Sequence, residues 1–188
     1  MDLILASQSP RRKALLQHFG LEFTVKTEPV EETEEGQPQK AAEINACAKA
    51  LAVSRLYPNA LVLGADTVVV LGNALLGKPK DMQDAEDMLR LLSGREHEVT
   101  TVVALARAGK TAAVFQETTV VFFRQLSQAE ISGYAKTGEP LDKAGAYGIQ
   151  GFGGLLVERI KGCYYNVMGL PMPRLAVELR KLGLEVMP

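Results

Sequence analysis

The 188-residue sequence predicts a mixed α/β fold, a mixed central sheet with flanking helices, and three observations lead there. Short apolar runs of strand type, at 3–5 and 60–70 above all, alternate with helical patterns along the whole chain. Turn signals at Leu71-Gly72-Asn73 and Ala108-Gly109-Lys110 each separate two strand-like runs, so hairpins exclude a purely parallel sheet. No internal repeat or low-complexity linker interrupts the pattern, and the length fits one domain over 1–188 or two lobes of it.

The elements follow in order. Leu3 to Leu5 reads as a short buried strand. Ser9 is placed to cap a helix that has Pro10 at its first position, an apolar stripe of Leu15, Leu16 and Phe19, and Gly20 at its end. Residues 21–25 alternate like a strand, and an acidic loop with Glu28, Glu31, Glu32, Glu34 and Glu35 follows. Pro38 opens an alanine-rich helix that ends before Tyr57-Pro58. A strand at 60–70 turns at Gly72-Asn73, and Asp81 caps a third helix over 83–92. Long strands at 97–106 and 111–123 precede a fourth helix, which Ser127 and Glu130 start with a capping box. Six glycines between 137 and 154 predict an ordered loop without regular structure. A strand at 155–160 and a helix at 169–182 complete the chain.

Composition limits the function. Apolar residues make up 47% and charged residues 23%, the balance of a soluble globular protein, and a net charge of -1 gives no global field for nucleic acid. No apolar run approaches the length of a membrane helix, and the first residues lack the pattern of an export signal, so a cytoplasmic protein is expected. Cys47 and Cys163 have no metal-ligand spacing around them; reduced thiols are expected, with Cys47 as a small buried packing residue.

Arg11, Arg12 and Lys13 stand in the first turn of a helix, where the dipole disfavours cations. They are either solvated or part of an anion site built with Ser7, Ser9 and the helix amides. Asp66 lies in an apolar strand, where an unpaired carboxylate is costly, so it is either fixed by backbone hydrogen bonds or functional. Lys78, in Leu76-Gly77-Lys78-Pro79, follows the next hairpin arm; a carboxylate and an ammonium at adjacent strand ends would suit metal-assisted attack on a phosphate. Gln150 offers an amide to a base edge from the glycine-rich segment. Tyr147 is expected to pack, Asp142 and Lys143 to pair, and His18 and His97 to be structural. Glu32 is the member of the acidic loop best suited to be a second carboxylate near a metal. By position on the second helix, Lys49 reads as exposed.

The ordered set LASQSPRRKALL, LGADTVVV, GKP, LSGREHEVTT, GEPLDKAGAYGIQG and YYNVMGLP closely resembles the Maf family of nucleotide pyrophosphatases, from about Leu3 to the final helix. The resemblance implies an inosine triphosphatase-like fold of two lobes around a deep cleft, a homodimer, and metal-dependent hydrolysis of nucleoside triphosphates to monophosphate and pyrophosphate. It implies that Asp66 is the general base and a metal-side carboxylate. It places Ser7, Arg11, Glu32, Lys49, Lys78 and Gln150 in the rest of the site. Arg12, Thr67 and Gln150 match the members that act on dTTP and UTP. The divalent cation would be Mg²⁺ or Mn²⁺, held by Asp66 with Glu32. Lys78 would neutralise charge on the phosphoryl oxygens. The competing expectation is a non-catalytic nucleotide-binding regulator of cell division or septum formation.

Overall fold

The computed structural model describes residues 1–187; Pro188, the last residue of the expected domain, lies outside them. The strands are β1 (Leu3–Leu5), β2 (Thr24–Val25), β3 (Leu61–Leu71), β4 (Ala74–Leu76), β5 (Glu96–Arg107), β6 (Lys110–Phe123) and β7 (Val157–Lys161). The helices are α1 (Pro10–His18), α2 (Pro38–Leu56), α3 (Met82–Leu92), α4 (Gln128–Ala135), α5 (Tyr164–Met168) and α6 (Met172–Lys181). The strands form one sheet in the order β2-β1-β3-β5-β6-β7, with β4 paired to β3. Its pairings are mixed: β1 runs parallel to both β2 and β3, whereas β3–β4 and β6–β7 are antiparallel. The mixed α/β architecture therefore holds.

Three local expectations change. The run at 21–25 forms only the two-residue β2, because Leu21 turns inward to the core while its amide bonds to the Leu16 carbonyl at the end of α1. The glycine-rich segment is not irregular throughout. It contains three short 3₁₀ turns, at Glu139–Asp142, Ala144–Ala146 and Gly151–Leu156. The final helix starts later than expected, at Met172 after Pro171, and a short helix that was not expected, α5, precedes the Gly169-Leu170-Pro171 step.

Contacts group the chain into two units. The first comprises residues 1–66, 101–117 and those from Gly169 onward. Its register sets Leu3, Ile4 and Leu5 opposite Leu61, Val62 and Leu63, and all six are buried. The alanine richness of α2 has a direct structural purpose. Ala42, Ala46 and Ala50 repeat every four residues, form one stripe and are fully buried. The stripe lies so close to β3 that a Cβ on Gly64 would come within 2.4 Å of the Ala46 carbonyl oxygen and 2.7 Å of the Ala50 nitrogen. Only glycine fits there.

The second unit comprises residues 67–100 and 118–168. Its core includes Leu76, Leu89, Leu92, Val121, Phe123, Ile131 and Tyr147. The capping box of α4 is present in both directions, Ser127 with Glu130. Those hydrogen bonds, with Arg124, hold the Glu130 carboxyl down at about 2. Gly145, at φ 72°, donates its amide to the Gly77 carbonyl at 3.0 Å, which ties the glycine-rich segment to the loop that carries Lys78.

Candidate active site

Side chains alternate along a strand, so Asp66 points to the same face of β3 as Gly64, two residues earlier. That face is covered by α2. Asn45 and Lys49 are four residues apart on α2, each directly before a member of the buried stripe, Ala46 or Ala50. The close packing at Gly64 therefore brings both of them to Asp66. Lys49 Nζ lies 3.0 Å from Asp66 Oδ1 and 2.9 Å from Glu32 Oε2. Asn45 Nδ2 donates to Asp66 Oδ2 at 3.2 Å. Each oxygen of Asp66 thus has a partner, one an ammonium and the other an amide. The half-buried carboxylate is supported by side chains of α2.

Lys49 is the clear correction among the side chains. Its side chain is 16% exposed, and it bridges two carboxylates instead of facing solvent. Glu32, with about half of its side chain exposed, reaches this centre from the acidic loop.

The strand–helix junction at Ser7 and Arg12 builds the other wall of the cluster. Ser9 caps α1 by accepting from the Arg12 amide at 3.4 Å. The Ser7 hydroxyl accepts from the Ser9 amide at 3.3 Å and from Arg12 Nη1 at 3.2 Å. Arg12 does not project into solvent: it is buried, and its Nε donates to the Gly169 carbonyl at 2.9 Å. Its Nη1 also donates to the Ala65 carbonyl at 3.0 Å, one residue before Asp66. Burial lowers the Arg12 pKa to about 10, with Asp66 and Glu32 opposing the shift and Arg11 adding to it, so the guanidinium stays charged at neutral pH. Arg11 beside it is half-buried.

The first unit therefore brings together Ser7, Arg12, Glu32, Lys49 and Asp66. Thr67, Lys78 and Gln150 belong to the second unit. Thr67 is half-buried there, whereas Lys78 and Gln150 are exposed. Lys143 pairs with Asp142 at 2.6 Å and Tyr147 packs, as expected. His97 is buried against Phe123 and Tyr147, its Nε2 is 2.7 Å from the Tyr147 hydroxyl, and burial lowers its pKa to about 4. Cys47 is half-buried, not fully buried as expected, and both cysteines are free. Asn45 escaped the sequence reading. Its signal was present in the four-residue spacing to Lys49 beside an alanine stripe.

Among the described residues no cluster of three or more His, Cys, Asp or Glu side chains could hold a metal by itself, and no helix is long and apolar enough to cross a membrane. Asp66 and Glu32 are hard oxygen donors, both within 3.0 Å of one cationic nitrogen. That donor set fits Mg²⁺ or Mn²⁺, since Mg²⁺ is commonly held by one or two carboxylates completed by water and phosphate.

A family model described as Maf-like protein matches residues 2–182. Among curated proteins, the dTTP/UTP pyrophosphatase of Geobacillus sp. (strain WCH70) is 49% identical, covering 97% of this chain and 98% of that one. The dTTP/UTP pyrophosphatases of Symbiobacterium thermophilum and Aquifex aeolicus (strain VF5) are 50% and 49% identical over 98% of this chain and 96% and 97% of theirs. Among solved structures, the Staphylococcus aureus Ham1 protein matches with a TM-score of 0.48 and 18% identity, covering 65% of this chain and 72% of that one, a likeness too slight to bear on function.

Proposed function

The chain belongs to the Maf-like protein family, and on that premise we propose that it is a nucleoside triphosphate pyrophosphatase. It would hydrolyse dTTP and UTP to the monophosphate and pyrophosphate. The observation that carries this reading is the Asp66 carboxylate, fixed through both oxygens by Lys49 and Asn45 in a chain about as long as relatives that bear this activity in their names.

In this reading Asp66 accepts a proton from the water that attacks the α-phosphorus. The new bond joins the water oxygen to that phosphorus, and the bond to the bridging oxygen breaks, so pyrophosphate leaves. Lys49 keeps Asp66 oriented and compensates its charge. Arg11, Ser7 and the first amides of α1 bind the triphosphate, for which the cationic first turn is suited. Asp66 and Glu32 would hold a divalent cation, which when bound neutralises phosphate oxygens and makes water more acidic. Lys78 and Gln150 are exposed and serve substrate binding, Lys78 by countering phosphoryl charge. Arg12, Thr67 and Gln150 set the preference for a pyrimidine base. The protein acts as one domain over 1–188, as a cytoplasmic homodimer, on a small-molecule substrate and not on nucleic acid.

Product analysis on a panel of dTTP, UTP, CTP, GTP and N7-methyl-GTP with Mg²⁺ or Mn²⁺ tests the proposal. Monophosphate and pyrophosphate from dTTP and UTP, lost on chelation, supports it. Binding of those nucleotides without turnover would replace it by the regulator.

A further inference from the structure

We propose that Asn45 is a positioning residue that clips the acidic loop to Asp66, so that Glu32 is presented beside the catalytic carboxylate; this rests on the pyrophosphatase reading above. Asn45 is 5% exposed and polar on the buried face of α2, where Ala41, Ala42, Ala46 and Ala50 surround it in sequence. An amide there is tolerated only because it is satisfied. Its Oδ1 accepts from the Thr33 amide at 2.9 Å, and its Nδ2 donates to the Thr33 carbonyl at 3.0 Å. The same Nδ2 donates to Asp66 Oδ2 at 3.2 Å. One side chain therefore grips both main-chain groups of a single loop residue, much as a neighbouring strand would, and spends its remaining donor on the proposed base. The main-chain partners also fix which amide atom is oxygen and which is nitrogen.

The loop needs such a clip. Residues 28–35 contain no helix or strand, and five of the eight are glutamates that repel one another. Among the described residues, this segment is held to α2 by Thr33 on Asn45 and by Glu32 on Lys49, two contacts one residue apart in the loop and four apart in the helix. Seating Thr33 on Asn45 determines where Glu32 stands. The Lys49 contact alone would leave an exposed, flexible side chain to hold the loop. Asn45 thus acts on the chemistry through two other residues, Glu32 and Asp66, as an outer-shell partner does in a metal site.

Three substitutions test this in the full-length protein. Asn45→Leu keeps the branched side-chain shape and removes all three hydrogen bonds. Asn45→Asp keeps an acceptor for the Thr33 amide but sets a second negative charge against Asp66. Thr33→Pro deletes the loop's donor without touching α2, and so remains informative if an α2 variant fails to fold. Hydrogen exchange on the metal-free, nucleotide-free protein should show peptides covering 28–36 exchanging at least about tenfold faster in Asn45→Leu and Thr33→Pro, with 38–56 unchanged. Direct Mn²⁺ binding, followed by electron paramagnetic resonance without nucleotide, should weaken roughly 10-fold to 100-fold, with Asn45→Asp losing at least as much as Asn45→Leu in kcat. KM for dTTP should change by less than about threefold, since the nucleotide's own contacts remain.

Unchanged loop exchange overturns the proposal. So does faster exchange with wild-type Mn²⁺ affinity and kcat, because the clip would then be purely structural. A wild-type protein without turnover on the nucleotide panel would instead remove the pyrophosphatase reading, while exchange and Mn²⁺ binding still decide whether Asn45 positions the loop.

Discussion

Lys49 Nζ sits 3.0 Å from Asp66 Oδ1 and 2.9 Å from Glu32 Oε2, so a single ammonium joins a strand carboxylate to a loop carboxylate. Replacing Lys49 with methionine keeps the aliphatic length and removes the charge. The two carboxylates then lack their common counter-charge, and Asp66 loses the bond that orients one oxygen. We expect kcat to fall roughly 100-fold, the scale seen when one electrostatic contact is removed from an active site. Circular dichroism should show an unchanged fold. Wild-type kcat in Lys49→Met would remove Lys49 from the mechanism.

Gly64→Ala tests how the site is assembled. A methyl group there meets main-chain atoms of α2 at 2.4 and 2.7 Å, and neither can swing away. The helix must shift, which should cost about 1–3 kcal/mol by overpacking. Because Asn45 and Lys49 ride on that helix, activity should fall further than the loss of folded protein explains. Chemical denaturation and kinetics on the same preparation separate the two effects.

Arg12 links Ser7, the Ala65 carbonyl and the Gly169 carbonyl. Lysine has a single nitrogen in place of this planar fork and cannot reproduce the three contacts. Arg12→Lys should lose about 1–3 kcal/mol of stability from acceptors left unmatched. It should also reduce the rate on dTTP and UTP more than on GTP. Equal losses for all nucleotides would confine Arg12 to the framework.

His97 gives a pH dependence with a definite sign. Burial lowers its pKa from 6.5 to about 4, so between those values the unfolded chain binds the extra proton and the native protein does not. Stability from this group is fully present above pH 6.5 and is lost as pH falls toward 4, by roughly 3 kcal/mol in all. Glu130, held at about 2, weakens only at lower pH, as its carboxyl takes up a proton between 4.5 and 2. Thermal unfolding measured from pH 7 to pH 5 should show the decline in wild type and a flatter curve in His97→Phe, whose ring replaces the imidazole between Phe123 and Tyr147.

Much of this was readable in the residues. Most of the strand and helix order (α5 excepted), the Ser9 and Asp81 caps, the Ser127–Glu130 box and the hairpin at Gly72-Asn73 depend on local chemistry, and the structure keeps them. Asp66 stood out because a charge in an apolar strand demands a partner. What stayed hidden was the partner. Asn45 and Lys49 meet Asp66 only after α2 settles on Gly64, a tertiary event that periodicity along the helix alone does not report. Arg12 was similarly misleading. In sequence it resembles its neighbours Arg11 and Lys13, whereas the fold buries it behind Asp66.

In the proposed reaction, water activated by Asp66 attacks the α-phosphorus. Hydrolysis of UTP in H₂¹⁸O, with wild type and Asp66→Asn compared side by side, shows where the water oxygen goes and whether Asp66 is needed. The expected result is ¹⁸O in UMP and none in pyrophosphate, with turnover reduced by about 10²-fold to 10⁴-fold in a folded Asp66→Asn protein. Label in pyrophosphate or inorganic phosphate, or near-normal turnover by Asp66→Asn, would contradict it.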